Sequence, residues 1–119
     1  MKNRLLIIDN IEERTLKFVQ LNVDSEPLIA IGFGLHGEVL DKVLDHLKIP
    51  FEKKTLMDGK DHAAPKGNFY KVTGMGNAFI SGDELTLHNI PSIGYGLGLD
   101  IEHLEYIKPC LNGYKLNII

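Results

Sequence analysis

The sequence predicts an α+β fold in which a mainly antiparallel sheet is covered on one face by two helices. Three observations lead there. The stretch Ile31-Gly32-Phe33-Gly34-Leu35-His36-Gly37 stands between an apolar run and a helical pattern. A similar stretch, Ile93-Gly94-Tyr95-Gly96-Leu97-Gly98, precedes a second helical pattern. Between the two, short apolar runs alternate with tight-turn residues, as in antiparallel strands. With 119 residues, the chain matches one domain, residues 1–119, large enough to bury a core without disulfides or a structural metal.

Residues 5–8 are apolar and read as a strand, stopped by the turn-forming pair Asp9-Asn10. Residues 15–23 alternate, with Val19, Leu21 and Val23 on one face and Leu16 and Phe18 on the other. These two strands are expected to pair as a hairpin. Residues 24–27 end in Pro27 and read as a break, because proline lacks a donor and restricts the residue before it. Residues 28–33 form a third strand. Beyond the glycines, Val39, Leu40, Val43, Leu44 and Leu47 recur at helical spacing up to Lys48, and Pro50 ends that helix.

Residues 51–57 read as a strand returning from the helix, with a charged middle (Glu52, Lys53, Lys54) suited to a sheet edge. Residues 58–68 have no apolar period and read as a long loop. Residues 69–73, 78–81 and 84–88 read as strands turned at 74–77 and 82–83, a β-meander. Residues 92–95 lead into the second glycine turn and a helix from about Asp100, in which Ile101, Leu104 and Ile107 share a stripe and Pro109 closes the segment. His46 and His103 lie off the apolar stripes and are expected at the surface. Asn112-Gly113 turns the chain into a last strand, 114–119.

Laid over each other, the two glycine stretches match Gly32 with Gly94, Phe33 with Tyr95, Gly34 with Gly96 and Leu35 with Leu97, and Glu38 falls on Asp100. Each acid would open a helix, where the dipole favours negative charge. The order strand, glycine turn, helix, strand thus occurs twice. Two βαβ-like units joined by a meander correspond to a ferredoxin-like pseudo-repeat, and a small three-layer α/β sheet is the alternative.

Lys and Arg total 13 against 16 Asp and Glu, a formal charge of −3 with a pI near 5.9, so no net positive field points to nucleic acid or anionic lipid as partner. Cys110 is the single cysteine, which excludes an internal disulfide and suits a cytoplasmic setting as a small apolar residue at a helix end. No apolar run has the length of a signal-peptide core or a bilayer span. No histidine pair has the spacing of a helical metal site, Asp58, Asp61 and His62 make only a loose cluster, and neither a metal nor a cofactor is expected. Ser81 and Ser92 lack a nucleophile-elbow context.

Gly32, Gly34 and Gly37 satisfy G-x-G-x-x-G, and Asp58 follows at the end of the next predicted strand. Locally this resembles the dinucleotide-binding fingerprint, whose glycines let the backbone approach a pyrophosphate while an acid binds a ribose hydroxyl. The structural alternative is that the glycines serve only positive φ or close packing. An ordinary crossover through the first helix would make its two strands parallel and bring residues 32–37 and 58–68 to one sheet edge. That edge would combine helix N–H groups with His36, Lys60, His62 and Lys66, a setting for phosphate or carboxylate, while Asp58 and Asp61 take hydroxyls or amines. Gly94, Gly96 and Gly98 would form a partner site.

The leading expectation is non-enzymatic sensing or sequestering of an anionic small molecule such as a nucleotide, in a homo-oligomer, here a dimer, paired through exposed edge strands. One alternative is a small enzyme in which His36 and His62 act as acid and base, with Asp58 or Asp61 orienting one imidazole. Another is a protein-interaction module of the inhibitor or immunity type, in which the glycines are only structural.

Overall fold

The computed structural model describes residues 4–8, 16–49, 51–55, 59–65, 70–91 and 94–119, with residues 51, 54 and 61–65 described as backbone. In chain order the elements are β1 (Leu5–Ile7), β2 (Leu16–Val23), β3 (Glu26–Gly32), α1 (His36–His46), β4 (Phe51–Thr55), β5 (Asp61–Pro65), β6 (Tyr70–Ser81), β7 (Glu84–His88), α2 (Ile101–Ile107) and β8 (Lys115–Ile118). The fold is mixed α/β. Six strands form one sheet in the order β1-β3-β2-β6-β7-β8, and β4 pairs with β5 in a separate two-stranded sheet. The large sheet is antiparallel through its centre and parallel at both rims, where Leu5 faces Ile29 and Leu85 faces Leu116.

The two helices lie on opposite faces of this sheet, which corrects the expectation of one covered face. Alternation along β2 decides it. Leu16 and Phe18 pack with Ile29, Ile31, Leu104 and Ile107, the side of α2. Val19 and Leu21 pack with Ala30, Val39, Leu40, Val43 and Leu44, the side of α1. A strand buried on both faces needs a layer on each. Each face of the mixed six-stranded sheet thus carries one helix.

The expected hairpin between residues 5–8 and 15–23 does not form. Asp24 and Ser25 both take positive φ (50° and 66°), making a tight turn that joins β2 directly to β3. β1 pairs in parallel on the far side of β3. Pro27, read as part of a break, lies within β3 opposite Asn22. Ile29 donates its N–H to the Arg4 carbonyl on the β1 side, so the nitrogen two residues earlier points out past the end of β1, where a proline costs no ladder bond.

β1 occupies the rim beside β3, so β4 has no place there and pairs with β5 instead. The first expected βαβ unit is therefore not formed. Residues 61–65, read as loop, form β5, because pairing with β4 overrides a composition poor in strand formers. The meander is also simpler than expected: residues 74–77 do not turn but continue β6. Gly74 and Gly76 serve close approach instead. A Cβ on Gly74 would collide with the Gln20 side chain and come within 2.9 Å of the Asp100 nitrogen, and one on Gly76 would collide with the Phe18 ring. The turn at Gly82-Asp83 does join β6 to β7.

On the C-terminal side, β7, α2 and the parallel strand β8 make one crossover unit. α2 starts where expected, with the Asp100 carboxylate accepting the His103 N–H at 3.2 Å. The expected strand at 92–95 is absent at Gly94-Tyr95, which form a turn, while residues 92 and 93 lie outside the described residues. The second glycine stretch is thus part of the connection from β7 to α2, with no strand described directly before it, and the ferredoxin-like repeat is not reproduced. Among the described residues no helix is long and apolar enough to cross a membrane.

Candidate functional site

The first glycine stretch leaves β3 at Gly32 and enters α1 at His36, with Leu35 in extended geometry as the residue before the helix. Gly34 takes φ of 119°, a region closed to side chains in practice, although a Cβ would meet Glu38 only at an ordinary 3.4 Å. Backbone conformation, and not lack of space, requires glycine there. Gly32 and Gly37 are buried, so the spacing of three glycines is partly a packing device. Just before the helix, Glu38 folds back and its carboxylate accepts the Leu35 N–H at 3.0 Å. Lys42 donates to the Phe33 carbonyl at 3.2 Å.

Positive character next to this turn comes from side chains. His36 Nε2 lies 2.9 Å from the Gly76 carbonyl, and since a carbonyl only accepts, that nitrogen carries a proton. Lys17 Nζ donates to Asn77 Oδ1 at 2.7 Å. Register explains the meeting. Lys17 on β2 lies between Gly32 on β3 and Asn77 on β6, and α1 begins four residues beyond Gly32. Burial holds the His36 pKa below its ordinary value, the hydrogen bond to Gly76 opposes this, and the Lys17 charge lowers it further. Two cation-forming groups from different elements thus converge over Gly76-Asn77. Three exposed apolar side chains stand around them: Phe33 and Leu35 in the turn, and Phe79 two positions beyond Asn77 on the same strand face.

Lys17 and Asn77 were not among the residues singled out by sequence. A signal existed for Lys17, which shares its strand face with Val19 and Leu21, a position where alternation calls for an apolar residue. Asn77 carried none, because it was assigned to a turn.

The other expected site residues are dispersed. Asp58 and Lys66 lie outside the described residues. Asp61 and His62 lie on β5 opposite Thr55 and Lys54, and Lys60 is exposed just before that strand. β3 and β4 do not pair, so the parallel crossover that would have set residues 32–37 and 58–68 on one sheet edge is not formed. In the second stretch, Gly94 is buried and Gly96 turns at φ of 66°. The Gly98 carbonyl accepts the Met75 N–H at 3.0 Å, and a Cβ on Gly98 would lie 2.7 Å from Asn89 Oδ1. That stretch is fastened to β6 by its own backbone.

It leads to a second polar centre. Gln20 is fully buried; its Oε1 accepts the Asp100 N–H at 2.8 Å and its Nε2 donates to the Asp100 carbonyl at 2.9 Å. His103, expected at the surface, is only 5% exposed. Its Nε2 donates to the Leu21 carbonyl at 2.9 Å, leaving Nδ1 as the acceptor 3.2 Å from Gln20 Nε2. Burial, partly offset by the Leu21 hydrogen bond and the Asp100 charge, holds its pKa below the ordinary value. Both ring nitrogens are engaged, so His103 has no nitrogen available for proton transfer. No group of three or more metal-ligating side chains occurs among the described residues. No protein-family model and no curated protein matches the chain.

Proposed function

We propose that the protein binds an anionic small molecule without turning it over, at the Lys17–His36 pair beside the first glycine turn. The observation that carries this reading is the convergence of Lys17 and His36 on Gly76-Asn77. The Lys17 ammonium supplies one charge, and His36 adds a second when it is protonated; bringing two such groups together costs repulsion that a phosphate or carboxylate relieves. Glu38 already takes the Leu35 N–H, so the selectivity rests on these side chains and not on a bare helix terminus. Exposed Phe33 and Phe79 suit a ligand that also carries a flat apolar part, as a nucleotide does. The Gly76 carbonyl holds His36 Nε2 and so fixes the ring beside the turn.

The test is thermal unfolding against nucleotides, sugar phosphates and aromatic carboxylates, since a ligand of the native state raises the midpoint with concentration. One class should stabilise wild type and lose its effect in Lys17→Met, while Lys108→Met, an exposed lysine beyond α2, responds normally. A response that survives Lys17→Met removes the proposal. A second reading, a protein-interaction module, draws on the exposure of Phe33, Leu35 and Phe79. It predicts that no small molecule shifts the midpoint and that Phe33→Ser and Phe79→Ser abolish capture of a protein partner.

A further inference from the structure

The opposite face of the sheet holds a cleft of about 370 Å³ between the β2–β3 turn and α2. Its walls differ in chemistry. The hairpin side offers the Asn22 amide and the Ser25 hydroxyl, while the helix side offers the Asp100 and Glu102 carboxylates and the Tyr106 ring, with His103 also in the lining. Neither lysine nor arginine is among the described lining residues. The volume is that of a site for a small molecule.

We propose that this cleft is a binding site for a small organic cation, an ammonium or guanidinium group. Asp100 is placed rigidly for the task. Gln20 holds its backbone N–H and its carbonyl, and its Oδ1 accepts the His103 N–H. The carboxylate therefore meets a ligand with little ordering left to lose. Glu102 lies two residues on and is exposed, and opposite-charge hydrogen bonds to two carboxylates suit a multi-donor cation. Tyr106 is 76% exposed, an unusual state for so large a ring. As one wall of the cleft, it presents a face on which a cation or a planar guanidinium rests favourably. The Asn22 and Ser25 oxygens can accept the remaining donors from the far wall. Two cations stand near the cleft outside its described lining: exposed Lys71, the register partner of Asn22 on β6, and Arg4, which is paired at 3.0 Å with Glu26 between Ser25 and Pro27.

Calorimetric titration of the intact protein with arginine amide, spermidine and choline tests this and separates guanidinium, ammonium and quaternary ammonium chemistry. At least one should bind with a millimolar or tighter dissociation constant. Glu102→Gln and Tyr106→Ala, both exposed and so tolerable to the fold, should each weaken it about fivefold. Lys71→Met should strengthen it, because a like charge at the rim is removed. Glu105→Gln, the same charge change on α2 outside the described lining, should leave it unchanged, as should Lys17→Met on the other face. Absence of binding by all three compounds at millimolar concentration overturns the proposal. Equal weakening by Glu102→Gln and Glu105→Gln also overturns it, because the attraction would then be the general field of an acidic protein.

Discussion

The two glycine stretches look alike on paper and do different work in the molecule. The first is a strand-to-helix turn whose Gly34 needs positive φ, and it delivers His36 to the Gly76 carbonyl. The second has no described strand directly before it; it fastens itself to β6 through the Gly98 carbonyl and delivers Asp100 to Gln20. Both end on the same part of β6, residues 74–77. A glycine pattern therefore specifies what the backbone is free to do, and the surface it meets decides what that freedom is used for.

Substituting the shared receiving strand should break the comparison most strongly. Gly74→Ala would drive a methyl into Gln20, the Asp100 nitrogen and the Gly98 carbonyl, at a cost of about 3 kcal/mol from overpacking against backbone. Chemical denaturation should show this loss, and cation binding should fall with it as Asp100 is displaced. Gly34→Ala should cost less, about 1–2 kcal/mol, because the strain is one unfavourable backbone angle and the added methyl meets Glu38 only at ordinary contact distance. Its signature should be weakened anion binding with cation binding intact. A Gly34→Ala variant as stable as wild type would show that the turn relaxes without positive φ.

The smallest effect concerns pH. His36 and His103 are both held below the ordinary value of 6.5. The unfolded chain then binds more protons than the folded one as pH falls below 6.5. The stability from each neutral ring is fully present above that pH and is lost as pH drops through the depressed folded values. Urea unfolding between pH 7.5 and 4.5, values of about the range in which histidine charges, should show a falling free energy. His36→Gln and His103→Gln should each flatten part of that slope, and no flattening in either would mean that neither ring is held neutral.

What the sequence revealed follows from how local each cause is. The stripe Val39, Leu40, Val43, Leu44 and the Asp100 cap were legible because periodicity and capping act within a turn or two. Pro27 inside β3 was not, since its tolerance depends on where β1 ends. The continuity of β6 through Gly74 and Gly76 was hidden for a similar reason: those glycines accommodate Gln20 and Phe18, residues distant in sequence. The opposite placement of the helices is encoded in β2, which is apolar on both faces and so calls for a cover on each. Of the candidate site, His36 and the turn were legible, whereas its partners on β2 and β6 came from register. The buried state of His103 depended on Gln20 and Leu21 across the sheet.

One consequence of the strand order concerns how the molecule comes apart. Among the described residues of the large sheet, the N-terminal strands β1 to β3 meet the C-terminal strands β6 to β8 along a single border, β2 against β6. Lys17–Asn77, His36–Gly76, Gln20–Asp100 and His103–Leu21 all bridge it. Parting that border would dismantle both polar centres in one event, so the amides along it should be among the last to exchange with solvent. A cut in the chain between the two halves should leave fragments that regain either binding activity only when mixed.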